Sequence, residues 1–297
     1  MNIVIPSYEK HLSYNLNFLE SFRKYCNDKQ KVIINFICCN SNQIEFFQLK
    51  EKFKDLNINI FTLSQLIKEV DGIDFDDAPC NFITKYSLQS LKKLLSYSIV
   101  DSDYLVIDSE NLCVKDFYFR DIIDSMKMKK IKYSAEYYQS NPLQCQVVDN
   151  CNKLLGYQNN NWCFMDSYWY FEREIVSKLI DELVKINSID KITFILKDII
   201  FFEYQLYSSF IFKYDLKEKI STDQILNNEK KLKFNLNNSG HSYEYICSTI
   251  TDETICNYIG LLNRLDEKIT RLHWMPEKFV NKIIESTEVS IGTFHWD

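Results

Sequence analysis

The chain has 297 residues, enough for one large domain or two small ones, and its 46% hydrophobic content suits a packed globular core. A net charge of −6 argues against a general nucleic-acid binder, and only 5 glycines and 4 prolines leave little room for long flexible linkers. Ten cysteines occur without one Cys-x-x-Cys pair, so the spacing of a zinc ribbon or a thioredoxin-type site is absent. Cys38 and Cys39 sit inside an apolar run and read as core filler. No signal-sequence pattern opens the chain, so the expected compartment is the reducing cytoplasm, with most thiols free.

In chain order, Met1 to Ile5 reads as a short strand ending at Pro6-Ser7-Tyr8. His11 to Asn27 carries apolar residues at helical spacing, at Leu12, Leu16, Leu19 and Phe22. Lys31 to Cys39 is a β-branched, apolar run, followed by the helix-start signal Asn40-Ser41-Asn42. Ile44 to Lys54 is amphipathic. Ile58 to Phe61 is a third strand, and Thr62 is placed to cap a short helix through Val70. This alternation of strand and helix predicts a parallel sheet with right-handed crossovers. Asp71 to Phe82 reads as a loop, and Thr84 to Ser98 as a helix with Leu88, Leu91, Leu94 and Leu95 on its inner face. Asp101 and Asp103 read as turn residues.

Tyr104-Leu105-Val106-Ile107 is the central strand, and it runs directly into Asp108-Ser109-Glu110. Two carboxylates one residue apart, past a strand's carboxyl end, face the edge where open α/β sheets bind ligands. Such a pair suits Mg²⁺ or Mn²⁺, which keep further positions for water and phosphate oxygens. The plain alternative is a turn that happens to be acidic.

Arg120 to Lys130 then predicts a helix and Lys132 to Tyr138 a strand. Gln139 to Asn161, rich in Asn and Gln, reads as a loop or a short irregular helix, and Trp162 to Met165 as a late strand. Phe171 to Ile186 reads as a helix, and Ile192 to Phe212 as a helical pair. The most apolar stretch, Ile189 to Phe212, is interrupted by Asp190, Lys191, Lys197, Asp198 and Glu203, which argues against a bilayer span. Beyond Lys213 the signals weaken, with helices expected over Asp252 to Leu265 and Pro276 to Glu285.

Four stretches together resemble the GT-A class of nucleotide-sugar glycosyltransferases, and within it a group of bacterial proteins found with surface-polysaccharide genes. Ile3-Val4-Ile5-Pro6-Ser7-Tyr8 is similar to the opening strand. Gln89-Ser90-Leu91-Lys92-Lys93-Leu94 is similar to a Gln-Gln-x-x-Lys-Leu pattern. Tyr104 to Glu110 resembles the Asp-x-Asp motif, and Phe201 to Tyr207 a Ser-Glu-Tyr-x-Leu-Tyr-Gly motif. Glu110 replaces the second Asp, Ser208 stands in place of Gly, and Gln89 keeps the first of two glutamines.

The resemblance implies an α/β fold with a Rossmann-related, mixed, mainly parallel sheet flanked by helices. Its catalytic domain would span 1–215, with a mainly helical addition over 216–297. It implies a nucleotide-sugar donor, UDP-linked by preference, and a glycan or lipid-linked glycan acceptor, which allows peripheral contact with a membrane. Asp108 and Glu110 would hold the cation, with His241 completing its shell and His273 and His295 as substitutes. Pro6, Ser7 and Tyr8 would meet the base. Lys93, chosen over Lys85 and Lys92, would neutralise a phosphate or hold an acid, and Gln89 would hydrogen-bond the donor. Asp166 and Trp162, with Trp169, are candidates for sugar contacts.

Glu203 stands among Phe201, Phe202 and Tyr204, an apolar surround that disfavours the carboxylate charge and favours a general base, hence inversion. Its alternatives are a buried acid paired with a cation, or an acid binding sugar hydroxyls. Two other functions compete: a sugar nucleotidyltransferase, for which Pro6-Ser7-Tyr8-Glu9-Lys10 lacks the Gly-rich loop, and a non-catalytic glycan-binding protein.

Overall fold

A computed structural model describes residues 1–133, 142–158, 168–221, 252–264, 266–272 and 275–294. The first part alternates as β1 (Asn2–Pro6), α1 (Leu12–Tyr25), β2 (Ile33–Cys38), α2 (Gln43–Lys52), β3 (Asn57–Thr62), α3 (Leu63–Asp71), α4 (Lys85–Leu95) and β4 (Tyr104–Ile107). Next come β5 (Asn111–Cys113), α5 (Phe119–Met128), β6 (Ile131–Tyr133), α6 (Pro142–Leu155), β7 (Tyr168–Phe171) and α7 (Arg173–Asn187). The chain continues with α8 (Ile192–Leu196), α9 (Glu203–Tyr214), β8 (Lys219–Ser221), α10 (Asp252–Arg264), β9 (Ile269–Arg271), α11 (Glu277–Ser286) and β10 (Ile291–Thr293).

The main sheet has the order β3-β2-β1-β4-β7. The first four strands are parallel and β7 runs antiparallel to β4. The fold is thus α/β, with a mixed, mainly parallel sheet flanked by helices. Side chains alternate across the pleat. Ile3, Ile5, Leu105 and Ile107 point into a core covered by α1, α2 and α5, while Val4, Tyr104 and Val106 point into a second core with α3, α4, α6, α7 and α9. Burial on both faces explains why β1 and β4 read as unbroken apolar runs.

Local signals set the helix ends. The Thr62 side chain accepts from the Gln65 amide while the Gln65 side chain accepts from Thr62 N, a reciprocal cap that starts α3. Gly72, at φ 66°, ends α3 in the left-handed conformation that glycine adopts freely. Asp71 is buried, and its two oxygens accept the Ile192 and Thr193 amides, fixing the start of α8.

Two parts differ from the sequence expectation. Residues 142–155 are a full, regular helix inside the stretch expected to be a loop or a short irregular helix. Val147, Val148, Cys151, Leu154 and Leu155 of α6 keep helical spacing, and its Asn and Gln residues masked that pattern. Tyr168–Phe171 is a strand, although Phe171 was expected to open a helix; Phe171 lies opposite Tyr104 in the sheet. Past residue 215 the chain supplies helices but also strands, and these join the earlier part: β8 pairs with β6, and β10 pairs with β5. The Glu267 carboxylate, buried, accepts from Lys129 Nζ and from the Tyr168 hydroxyl and adds a side-chain tie. Among the described residues no helix is long and apolar enough to cross a membrane.

Candidate functional site

The carboxyl end of β4 delivers Asp108, and the last turn of α4 lies against it. Thr84 caps α4 by accepting from Ser87 N (3.2 Å), and Leu88, Leu91, Leu94 and Leu95 bury its inner face. That packing carries Lys92 and Lys93 inside instead of leaving them on a solvated face; Lys93 is 9% exposed and Lys92 2%. Lys93 Nζ sits 2.9 Å from Asp108 Oδ1 and 3.0 Å from Glu203 Oε1. Burial works against the Lys93 charge, but the two carboxylates more than offset it and raise its pKa above the ordinary lysine value.

Glu203 is the first residue of α9 and is buried, so it also meets the positive end of the helix dipole. Its second oxygen accepts from Ser90 Oγ (2.8 Å), which also lies 3.0 Å from the Phe201 carbonyl. Each of its oxygens has a partner, which matches the geometry of the alternative in which a buried acid pairs with a cation.

Among the described residues Asp108 and Glu110 share no partner. Glu110 Oε2 accepts from Ser109 Oγ (3.0 Å), and Glu110 Oε1 lies 3.5 Å from His11 Nε2. His11 Nδ1 contacts Ser109 Oγ. The His11 ring lies 4.0 Å from the Tyr8 ring and 5.3 Å from that of Tyr14. Burial and, less strongly, the Glu110 charge raise the Tyr8 phenol's pKa, so it stays a neutral hydroxyl. The acidic turn is held by backbone and amide bonds: Asn111 Nδ2 donates to the Asp108 carbonyl (2.7 Å), and Phe294 N donates to the Glu110 carbonyl (2.9 Å).

The carboxyl end of β1 completes the site. Pro6 closes the strand opposite Ile37. Ser7 is buried; its carbonyl accepts from Lys92 Nζ (2.7 Å) and its hydroxyl from Asn15 Nδ2 (2.6 Å). Among the described residues the buried Asn15 Oδ1 atom has no hydrogen-bond partner. Tyr8 is 37% exposed beside it.

Of the residues singled out from the sequence, the fold brings Lys93, Asp108 and Glu203 into contact and sets Pro6, Ser7, Tyr8 and Glu110 at the same sheet edge. Gln89 is half-buried on α4, and its side chain makes no hydrogen bond among the described residues. Lys85 is exposed, and the half-buried Trp169 packs on Tyr204, ring centroids 5.6 Å apart. Trp162, Asp166, His241, His273 and His295 lie outside the described residues. Sequence reasoning missed His11, Asn15 and Ser90. His11 was taken only as the start of a helix, although its place three residues past Tyr8 in the loop after β1 was a usable signal.

Three acids (Asp108, Glu110, Glu203) face two lysines (Lys92, Lys93) here, so the acids outnumber the lysines at this edge. A phosphate would be repelled by such an edge unless a cation accompanied it. Among the described residues no three His, Cys, Asp or Glu side chains converge as a closed metal cage. Mg²⁺ and Mn²⁺ do not need one; one or two carboxylates with water and substrate phosphates suffice. Asp108, with its side chain 33% exposed and only Oδ1 on Lys93, meets that requirement.

Residues 7–244 match a family described as one of unknown function (DUF6492). No curated protein matches the chain. Among solved structures, the galactosyltransferase LgtC, with donor and acceptor sugar analogues, is 11% identical with a TM-score of 0.42, over 100% of this chain and 87% of that one. Mouse xyloside xylosyltransferase 1 is 8% identical with a TM-score of 0.38, over 76% of this chain and 86% of its own. The bifunctional glycosyltransferase WbbM is 10% identical with a TM-score of 0.39, over 71% of this chain and 37% of its own. TM-scores this low say nothing of what this chain binds or does.

Proposed function

We propose that this chain, which belongs to the DUF6492 family of unknown function, is a metal-dependent glycosyltransferase. It would move a sugar from a nucleotide sugar, UDP-linked by preference, to a hydroxyl of a surface polysaccharide or a lipid-linked glycan. The observation that carries this reading is the Asp108–Lys93–Glu203 contact at the carboxyl edge of the sheet, with a carboxylate oxygen of Asp108 left outside the Lys93 contact.

In this reading Asp108 and Glu110 hold Mn²⁺ or Mg²⁺. When bound, the cation supplies positive charge against the diphosphate leaving group. Lys93 fixes Asp108 and adds a second positive charge near the departing phosphates. Ser7 and Tyr8 meet the base, with Lys92 holding the Ser7 carbonyl in place. In this reading Glu203 holds Lys93, since Lys93 and Ser90 engage its two oxygens and bind it into the buried pair. Inversion, expected from Glu203 as base, is not part of this reading.

The test is thermal denaturation with UDP-sugars, with and without Mn²⁺. A ligand that binds the folded state raises apparent stability by mass action. A UDP-sugar should raise the melting temperature more in the presence of Mn²⁺, and Asp108→Asn should lose the metal-dependent part. A full shift in the variant would refute the assignment of Asp108.

A further inference from the structure

We infer that the last strand governs the acidic turn, and that Thr293 is a positioning residue for Asp108 and Glu110 acting through Asn111. The ligand-binding half of this rests on the transferase reading above. The backbone of both acids is held by donors that lead to two consecutive residues, Thr293 at the end of β10 and Phe294 after it. Asn111 Nδ2 donates to the Asp108 carbonyl (2.7 Å), and Phe294 N donates to the Glu110 carbonyl (2.9 Å). A carbonyl only accepts, so the Asn111 amide turns its nitrogen to Asp108 and its oxygen to Thr293. That oxygen accepts from Thr293 Oγ1 (2.9 Å), and both residues are buried. Within the turn itself, Asn111 N reaches the Asp108 carbonyl only at 3.4 Å. The Ser109 and His11 contacts hold side chains of the turn, not its backbone.

The strand that supplies those donors is supported from the C-terminal side of the chain. β10 pairs antiparallel with β5, Thr293 opposite Asn111, and parallel with β9. Leu272 N donates to the Thr293 carbonyl (2.9 Å). At Gly292 a Cβ would stand 2.5 Å from Leu272 Cδ1 and 3.1 Å from its Cγ, so a side chain there presses β10 away from this support. Docked and undocked β10 are two states, and only the docked one presents both donors to the turn. A site that must hold its side chains to within about half an ångström responds to such a shift. By linkage the effect runs both ways: a ligand seated on the two acids favours docked β10.

The competing view is a strand pair that supports the fold and leaves the turn to itself. Amide hydrogen exchange of the full chain, with and without UDP and Mn²⁺, separates the two. Thr293→Val keeps the shape and loses the donor, while Thr293→Ser keeps the donor. Without ligand, Thr293→Val should speed exchange at Asn111 and Phe294 by about tenfold and leave β1, β2 and β4 at wild-type rates. Gly292→Ala should act in the same direction, and Thr293→Ser should match the wild type. With UDP and Mn²⁺, the wild type should gain protection over residues 291–294, and Thr293→Val should bind UDP about tenfold more weakly. Wild-type exchange at the turn in both Thr293→Val and Gly292→Ala overturns the inference. So does faster exchange spread through the whole sheet, a serine variant as fast as the valine one, or a valine variant that binds UDP as the wild type does. A wild type that binds no UDP defeats the transferase reading alone, because the ligand-free exchange pattern still decides whether β10 governs the turn.

Discussion

The two ends of the central strands handle buried polar groups in opposite ways. Toward the amino ends, three amides form a ladder that ends on a single carboxylate: Asn59 donates to Asn35, Asn35 to Asn2, and Asn2 to Asp101, at 3.2, 3.2 and 3.1 Å. Each member is supplied by its neighbour, so this end is consistent with a structural role alone. Toward the carboxyl ends, the polar groups are mostly ionised, the acids outnumber the lysines, and Asn15 leaves an oxygen unmatched. Ions cost more to bury than amides. A fold retains such an arrangement most simply where a ligand completes it, so an unbalanced charged edge opposite a balanced amide edge locates the working end of the sheet.

The strongest way to break that contrast is Lys93→Met. It strips the cation from two carboxylates, one of them buried, and should lower stability by about 3–5 kcal/mol, read from urea unfolding. The UDP-sugar thermal shift should vanish with it. A loss under about 1 kcal/mol would mean that the triad is not coupled. At the other end, Asn35→Ala should cost about 1–3 kcal/mol and leave the UDP-sugar shift in degrees unchanged; altered ligand response would deny that this end is structural only. Asp108→Asn should cost about 1 kcal/mol or less, because the side chain is partly exposed and its pair screened, while removing the metal response.

The smallest effect is on pH. Lys93 has a folded pKa raised above its unfolded value, so its contribution is complete below the ordinary lysine pKa of about 10.4 and is lost only as pH rises through the raised value. The stability gap between wild type and Lys93→Met should therefore stay constant between about pH 7 and 9. A gap that narrows in this window would contradict a raised Lys93.

The sequence made some of this visible and hid the rest for physical reasons. β1, β2 and β4 were legible because strands buried on both faces carry unbroken apolar runs. α6 was not, because Gln144, Gln146, Asn150 and Asn152 dilute its apolar stripe. β7 was mistaken because Tyr168-Trp169-Tyr170-Phe171 abuts a strong helix with no break between them. β5, β9 and β10, at three residues each, are too short for any periodic signal. At the site, Lys93, Asp108 and Glu203 each stood out by residue type. That one ammonium would join two acids far apart in the sequence, Asp108 and Glu203, is a long-range contact, which spacing along a chain cannot encode. His11 escaped because helical periodicity had already accounted for its neighbourhood.

The pairing of β10 with β5 has a consequence for biosynthesis. Thr293 Oγ1 donates to Asn111 Oδ1 across 182 residues of sequence, and the next residue secures the Glu110 carbonyl. A nascent chain leaving the ribosome can assemble the parallel sheet long before those partners exist. The acidic turn then waits, incompletely fastened, until the last strand arrives. Premature termination before residue 291 would release a product with a folded sheet and a loosened turn, a failure that a stability assay on the core would overlook.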